Sequence, residues 1–353
     1  MNIFLYEFLT GGGFYSIGES PQASPSLLQE GAAMVQALAE DLLATGDIQL
    51  HLFRDTRVSS LPLLTGDTNE VAHGLTIHDI DGEAAEQAKF AQIAAAADWT
   101  IVIAPEFDGL LAERCNWVHE AGGRLLGPSL ATIVLTSDKQ RTVEHLAAHA
   151  VPTPNGVFVP KGERMPANFP CPAVLKMRDG AGSTNSSLLS DEEALTAHGP
   201  AAFDTRLERY QPGTPVSVAV LCGPGQPLPL TPCQQRIADD GQFSYLGGSL
   251  PLPTNLSKRA TSLAREAIAT LPDPLGYIGV DLVLGSNASD DVVLEINPRL
   301  TTSYVGLRAA TNDNLARVML DIATGQAHNP TFDDRELEFN ANGTVRITTD
   351  TPS

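Results

Sequence analysis

The chain has 353 residues, 42% of them hydrophobic and 18% charged; this is ordinary for a globular protein with two or three cores and excludes a chain disordered as a whole. Forty-two acidic against 22 basic residues leave a formal charge of −20, which excludes a general affinity for nucleic acid or for an anionic membrane, because both need a net basic surface. A locally basic pocket remains open, so the few lysines and arginines near glycine-rich segments direct the search for a site.

Residues 2–9 (NIFLYEFL) read as a first strand, followed by Gly11, Gly12 and Gly13 and by a helix from about 26 to 44. The apolar start has no basic segment before it and ends too soon for a signal sequence or a membrane span, so a cytoplasmic location is expected. IQLHLF (48–53) and WTIVIAP (99–105) flank an alanine-rich helical stretch near 83–97. That alternation predicts a parallel sheet in a small α/β domain over 1–130. In TSDKQRTVEHLAAHAVPTP, Ser137 precedes Gln140 by three residues, a capping-box spacing for a three-turn helix that stops before Pro152 and Pro154. Further on, short strands, glycine turns and one clear helix at 257–271 (SKRATSLAREAIATL) predict an α+β region with antiparallel sheets. The pattern runs to about 330, and the polar tail, 331–353, carries an expected hairpin around Asn342-Gly343. The fold class is therefore α/β and α+β. Cys115, Cys171, Cys222 and Cys233 form no C-x-x-C pair and read as reduced, mostly buried thiols.

Three familiar motifs fail. A dinucleotide fingerprint starting at Gly11 would need glycine at 16, where the chain has Ser16, and no P-loop sequence occurs. His145 and His149 share a helix face, but no glutamate follows His145 and no third ligand is evident.

The strongest signal is GYIGVDLVLGSNASDDVVLEINPR, 276–299, two apolar strands around a polar turn. Asp281 interrupts the first strand; Glu295 and Asn297 interrupt the second. Alternation puts 295 and 297 on one face and Val292, Leu294 and Ile296 on the other. A hairpin centred on Ala288 pairs 281 with 295, so three oxygen-bearing side chains converge, as magnesium bound to nucleotide phosphates requires. The alternative is a solvated sheet face that carries acids. In PAVLKMRDGAGST (172–184) a strand delivers Lys176, and Asp179, Gly180, Gly182 and Ser183 form a loop small enough for backbone N–H groups to reach phosphate oxygens. A plain turn with a surface lysine is the other reading. In RLERYQPG (206–213), Glu208 at a strand end suits the amino edge of adenine, or is an ordinary polar strand end. Arg236, in TPCQQRIADD, offers a bidentate fork for a carboxylate or an acyl phosphate, or is a surface arginine.

Together and in this order, the segments resemble the ATP-grasp superfamily over about 130–325, preceded by a pre-ATP-grasp domain. The resemblance implies a lid and linker over 131–205 and a metal-bearing domain over 206–330. It implies that Lys139 and Lys176 contact ATP phosphates and that Glu208, Arg209, Tyr210 and Gln211 form the adenine hinge. It makes Asp281, Glu295 and Asn297 the Mg²⁺ ligands, with Arg299 beside the reacting phosphoryl group and Glu7 and the triple glycine facing the site. Met177 stands where a proline is common, and Pro215 where many members carry a ribose-binding glutamate. YEFLTGGG, SDKQRT and KMRDGAGS look most like the tyramine-glutamate ligase-like branch, associated with methanofuran and tetrahydromethanopterin-type one-carbon cofactor synthesis. The implied activity is an ATP-dependent ligase that activates a small carboxylate as an acyl phosphate and joins it to an amine, with glutamate as a substrate. A ligase for other amino acids or peptides, and an ATP-binding regulatory module without turnover, are the competing readings. Expected partners are the two small substrates, with no nucleic acid or membrane; a homodimer is among the allowed assemblies.

Overall fold

The computed structural model describes residues 1–58, 73–180 and 186–347. The N-terminal unit is built from β1 (Asn2–Glu7), α1 (Pro25–Ala44), β2 (Gln49–Asp55), β3 (Leu75–Ile80), α2 (Glu83–Ala96), β4 (Trp99–Ile103) and α3 (Leu110–Glu120). Its strands form a parallel sheet in the order β3-β2-β1-β4. Ile3 and Leu5 of β1 pack toward α1, while Phe4 and Tyr6 pack with Phe90 of α2 and Leu111 of α3. A parallel strand covered on both faces needs apolar residues at every position, which explains the unbroken run. The strand stops at Glu7 rather than at residue 9. The Glu7 carboxylate accepts from Leu9 N (3.1 Å), Thr10 N (2.7 Å) and Thr10 Oγ1 (2.6 Å), turning the chain. A Cβ on Gly13 would stand 2.4 Å from the Phe8 ring, so that glycine is imposed by packing.

Two short helices follow, α4 (Leu130–Thr136) and α5 (Lys139–Ala148). Ser137 ends α4, donating its hydroxyl to Ile133 O, and Asp138 caps α5 by accepting from Arg141 N at 3.0 Å. The expected capping role thus moves one residue on, to a carboxylate that also suits the positive end of the helix. His145 reaches the Thr270 carbonyl and His149 that of His145, a packing role for both.

A small antiparallel sheet, order β5-β8-β6-β7, contains β5 (Gly156–Val159), β6 (Ala173–Met177), β7 (Ser187–Leu189) and β8 (Thr205–Arg209), with α6 (Glu192–Ala197) between the last two. The boundary drawn at 205/206 falls inside β8, which pairs with both β5 and β6.

The larger sheet has eight strands: β9 (Thr214–Cys222), β10 (Leu228–Pro229), β11 (Cys233–Ile237), β12 (Tyr245–Leu250), β13 (Gly276–Leu284), β14 (Val292–Asn297), β15 (Leu337–Asn340) and β16 (Val345–Ile347). Their order is β14-β13-β9-β11-β12-β15-β16, with β10 beside β9. α7 (Thr254–Ala269) covers one face, where Val216, Val218, Val280, Leu282 and Val293 are buried. α8 (Ser303–Ala309) and α9 (Leu315–Ala323) pack on the other side with Ala219, Leu221 and Tyr277. The region after Pro154 therefore holds more helices, α6 to α9, than the one expected there. α9 is short, but Asn314 caps it by accepting from Arg317 N, and seven of its nine residues are buried. The tail forms the expected hairpin, turning through Gly343 at φ +88°, and β15 joins it to β12.

α8 also fastens the N-terminal unit. Tyr304 Oη donates to Asp41 of α1 at 2.6 Å, and Arg308 bridges Asp41 and Glu40. All four cysteines are free, and Cys171 is the one not fully buried. Among the described residues no helix is long and apolar enough to cross a membrane.

Candidate active site

A cavity of about 410 Å³ lies between the two antiparallel sheets and is also bordered by Glu30 of α1 and Lys139 of α5. Its floor is the exposed face of β9, β11, β13 and β14. Asp281 faces Glu295 across β13 and β14, the pairing expected from the sequence. Asp281 Oδ1 accepts from Gln235 Nε2 at 3.1 Å and Oδ2 from Asn297 Nδ2 at 3.0 Å. The register slips between Asp281 and Leu282, a bulge that leaves Leu294 as the extra residue on β14. Alternation therefore breaks there: Val293 and Ile296 enter the core, whereas Leu294 lines the cavity beside Glu295 and Asn297. Strict period-2 reading had placed Leu294 on the opposite face.

The cations come from other elements. Lys139, at the start of α5, pairs with Glu295 Oε2 at 3.0 Å and donates to Gly180 O. Lys176, on β6, pairs with Glu208 Oε1. The second Glu208 oxygen accepts from Arg206 Nε at 3.1 Å, and Arg206 is anchored to Gln140 and to Pro154 O. The Glu208 carboxylate is buried between two cations. It is not a free acceptor for an adenine amino group, as the strand-end reading had it. The hinge that follows lines the cavity, with the Tyr210 ring inclined by 24° to that of Phe243 at 6.4 Å between centroids and Gln211 Nε2 donating to Asp290 O. Pro215 also lines it.

Arg299, just after β14, is held by a fork on Glu106: Nε to Oε1 at 2.8 Å and a terminal nitrogen to Oε2 at 3.0 Å. Glu106 follows β4, so the N-terminal sheet orients this arginine. The sequence reading missed it, although a polar residue just beyond the carboxyl end of a parallel strand is a recognisable position for function. Glu30 was missed as well. It lies one turn ahead of Met34, Leu38 and Leu42 on the buried stripe of α1, where a carboxylate is out of place.

Charge and burial act in opposition here. Removal from water, and then Glu295, push the Asp281 carboxyl up. Desolvation also favours a protonated Glu295, yet Lys139, Lys176 and Arg299 hold it below the usual carboxylate range. Burial alone would lower Lys139, but Glu295, with Glu106 and Glu208, keeps it above the usual lysine range. Burial lifts Glu30 to about 6 against the opposing pull of Arg299.

Several expected site residues lie elsewhere. Arg236 points away from the cavity: on β11 its neighbours Gln235 and Ile237 line the space, while Arg236 pairs with Glu338 at 3.0 Å and with Asn340 on β15. Alternation along a strand makes this unavoidable once Gln235 faces Asp281. Asp179 accepts from Asp108 N at 3.2 Å, tying the lid loop to the N-terminal unit, and Gly180 lines the cavity. Gly182 and Ser183 lie outside the described residues. Glu7 and the triple glycine do not border the cavity; Glu7 lies against Gly31, where a Cβ would come within 2.5 Å of its Oε1.

The donor set fits magnesium. Burial, and then repulsion from the Glu295 carboxylate paired with it across neighbouring strands, raise the Asp281 carboxyl, and the Asn297 amide adds a neutral oxygen. Among the described residues no cluster of three or more His, Cys, Asp or Glu side chains gathers to hold a metal. The donors present, two carboxylates and one amide, suit an ion that takes its remaining ligands from phosphates and water.

Comparison with known proteins agrees with this architecture. A family model for the ATP-grasp domain matches residues 136–303, and one for the pre-ATP-grasp domain matches 48–133. The chain is 24% identical to a tyramine–L-glutamate ligase of Methanocaldococcus fervens over 96% of its own length and 99% of that protein's. It is likewise 24% identical to the protein of the same name from Methanocaldococcus jannaschii, over 97% and 92%. Among solved structures, an ATP-grasp superfamily protein from Archaeoglobus fulgidus superimposes with a TM-score of 0.69 at 21% identity, covering 96% of this chain and 91% of that one. This chain belongs to the ATP-grasp superfamily, with a pre-ATP-grasp domain ahead of its ATP-grasp domain.

Proposed function

We propose that the protein is an ATP-dependent carboxylate–amine ligase whose acid is L-glutamate and whose amine is an arylethylamine of the tyramine type. The observation that carries this reading is the meeting of Asp281, Glu295 and Asn297 with Lys139, Lys176 and Arg299 in one cavity. The activity for which the two Methanocaldococcus relatives are named, aligned over nearly the whole chain, supports the choice of substrates.

A carboxylate resists attack by an amine because its resonance must be lost. Transfer of the γ-phosphoryl group removes that obstacle: a glutamate oxygen bonds to phosphorus, ADP leaves, and a mixed anhydride results. The amine nitrogen then bonds to the carbonyl carbon, inorganic phosphate departs, and the surplus ammonium protons pass to solvent. Asp281, Glu295 and Asn297 would hold magnesium, which would supply positive charge to offset that of the phosphates.

The remaining work belongs to cations and packing. Lys139 and Lys176 exchange their carboxylate partners for phosphate oxygens, and Arg299, held in place by Glu106, faces the transferring group. Tyr210 and Phe243 offer flat apolar surface to the base, while the hinge backbone offers its edge bonds. No side-chain nucleophile takes part. The test is incubation with ATP, L-glutamate and tyramine, scored by ADP release and product mass. A glutamyl amide formed with one ADP is expected. Amide formation from a different acid, and none from glutamate with any amine, would reject glutamate.

A further inference from the structure

Glu30 is the one described residue of the N-terminal α/β unit that lines the cavity. Among the described residues no hydrogen bond or ion pair engages its carboxylate. The other carboxylates on the wall are provided for: Glu208 by Lys176 and Arg206, Glu295 by Lys139, Asp281 by two amides. Asp239 needs no partner because it is exposed to water. Arg299 lies within electrostatic reach of Glu30, but its fork is committed to Glu106. Thr301, Thr302, Ser303 and Tyr245 line the same cavity and supply hydroxyls but no positive charge.

A half-buried carboxylate without a cation is costly, and its burial is sustained where a ligand completes it. Phosphate and carboxylate ligands would be repelled. The missing group is therefore a small cation with N–H donors. We propose that Glu30 binds a primary ammonium group of the ligase substrates, an inference that rests on the carboxylate–amine ligase reading above. The α-ammonium of glutamate and the ammonium of the incoming amine share this chemistry. Either places α1 of the N-terminal unit in substrate recognition, a part the metal hairpin and the lid do not fill.

The experiment compares wild type with Glu30→Gln, which keeps size and removes charge, varying each substrate in turn. The KM for the ammonium-bearing substrate is expected to rise about 10- to 100-fold, the loss of a hydrogen bond to a charged group, with the KM for ATP within about twofold. A rise confined to tyramine assigns Glu30 to the amine; a rise confined to glutamate assigns it to the α-ammonium. In the second case glutarate, which lacks that ammonium, should be used equally well by both proteins. Unchanged KM values for both substrates would overturn the inference. A urea transition and ATP calorimetry check the variant's fold; should Glu30→Gln not fold, Glu30→Asp withdraws the carboxylate by one methylene and should raise the same KM less. Wild type that makes no glutamyl amide is a failure of the functional reading. Wild type that makes it, with Glu30→Gln indistinguishable, is a failure of this inference alone.

Discussion

Gln235 and Arg236 are adjacent on β11, yet they serve opposite faces of one sheet. Gln235 donates to Asp281 inside the cavity, while Arg236 lies on the far side, partly exposed, in a pair with Glu338. The same division runs along β13, where Val280 and Leu282 pack beneath α7 and Asp281 faces the cavity. One backbone thus supports both core and chemistry, and the alternation of the strand decides which side chain does which. A functional group on such a sheet is recognised by the face it shares with other functional groups, and its residue type alone is a poor guide.

The comparison makes graded predictions. Asp281→Asn or Glu295→Gln, on the cavity face, should lower turnover by about 10³-fold, because several kcal/mol of charge stabilisation in phosphoryl transfer are lost. Steady-state ADP release measures this, with a urea transition to verify folding, and near-normal turnover would remove the metal assignment. Arg206→Met strands a buried Glu208 that Lys176 alone must balance and should destabilise the protein by about 3 kcal/mol. Chemical denaturation measures that loss. Lys176→Ala should weaken ATP binding by about tenfold, the loss of one charge-assisted contact; unchanged calorimetry would contradict the role given to this lysine. On the far face, Arg236→Ala should cost at most about 1 kcal/mol of stability and leave turnover unchanged, since it removes a partly exposed ion pair. Loss of turnover without loss of fold in Arg236→Ala would break the two-face account.

Much of this arrangement was legible in the sequence. The Asp281–Glu295 pairing follows from counting around the turn, and the order of lysine, glycine loop, hinge and metal hairpin pointed to the superfamily. What escaped was set by contacts distant in sequence. Leu294 sits at a bulge that no local pattern announces. Glu208 looks like a free acceptor until Arg206 and Lys176 are seen closing on it. Glu106 and Glu30 lie 193 and 269 residues before Arg299, so only the docking of α1 and β4 against the later domain brings them to the site. Arg236 shows the converse failure, since position between hinge and hairpin said nothing of the face it would occupy.

Hydroxylamine in place of the amine tests the central claim most directly, because it intercepts an acyl phosphate as a stable hydroxamate. With ATP and L-glutamate, wild type is predicted to form glutamyl hydroxamate and ADP in equal amounts, and Asp281→Asn to form neither at a comparable rate. ATP consumption by wild type with no hydroxamate from glutamate or any other acid would contradict activation through an acyl phosphate.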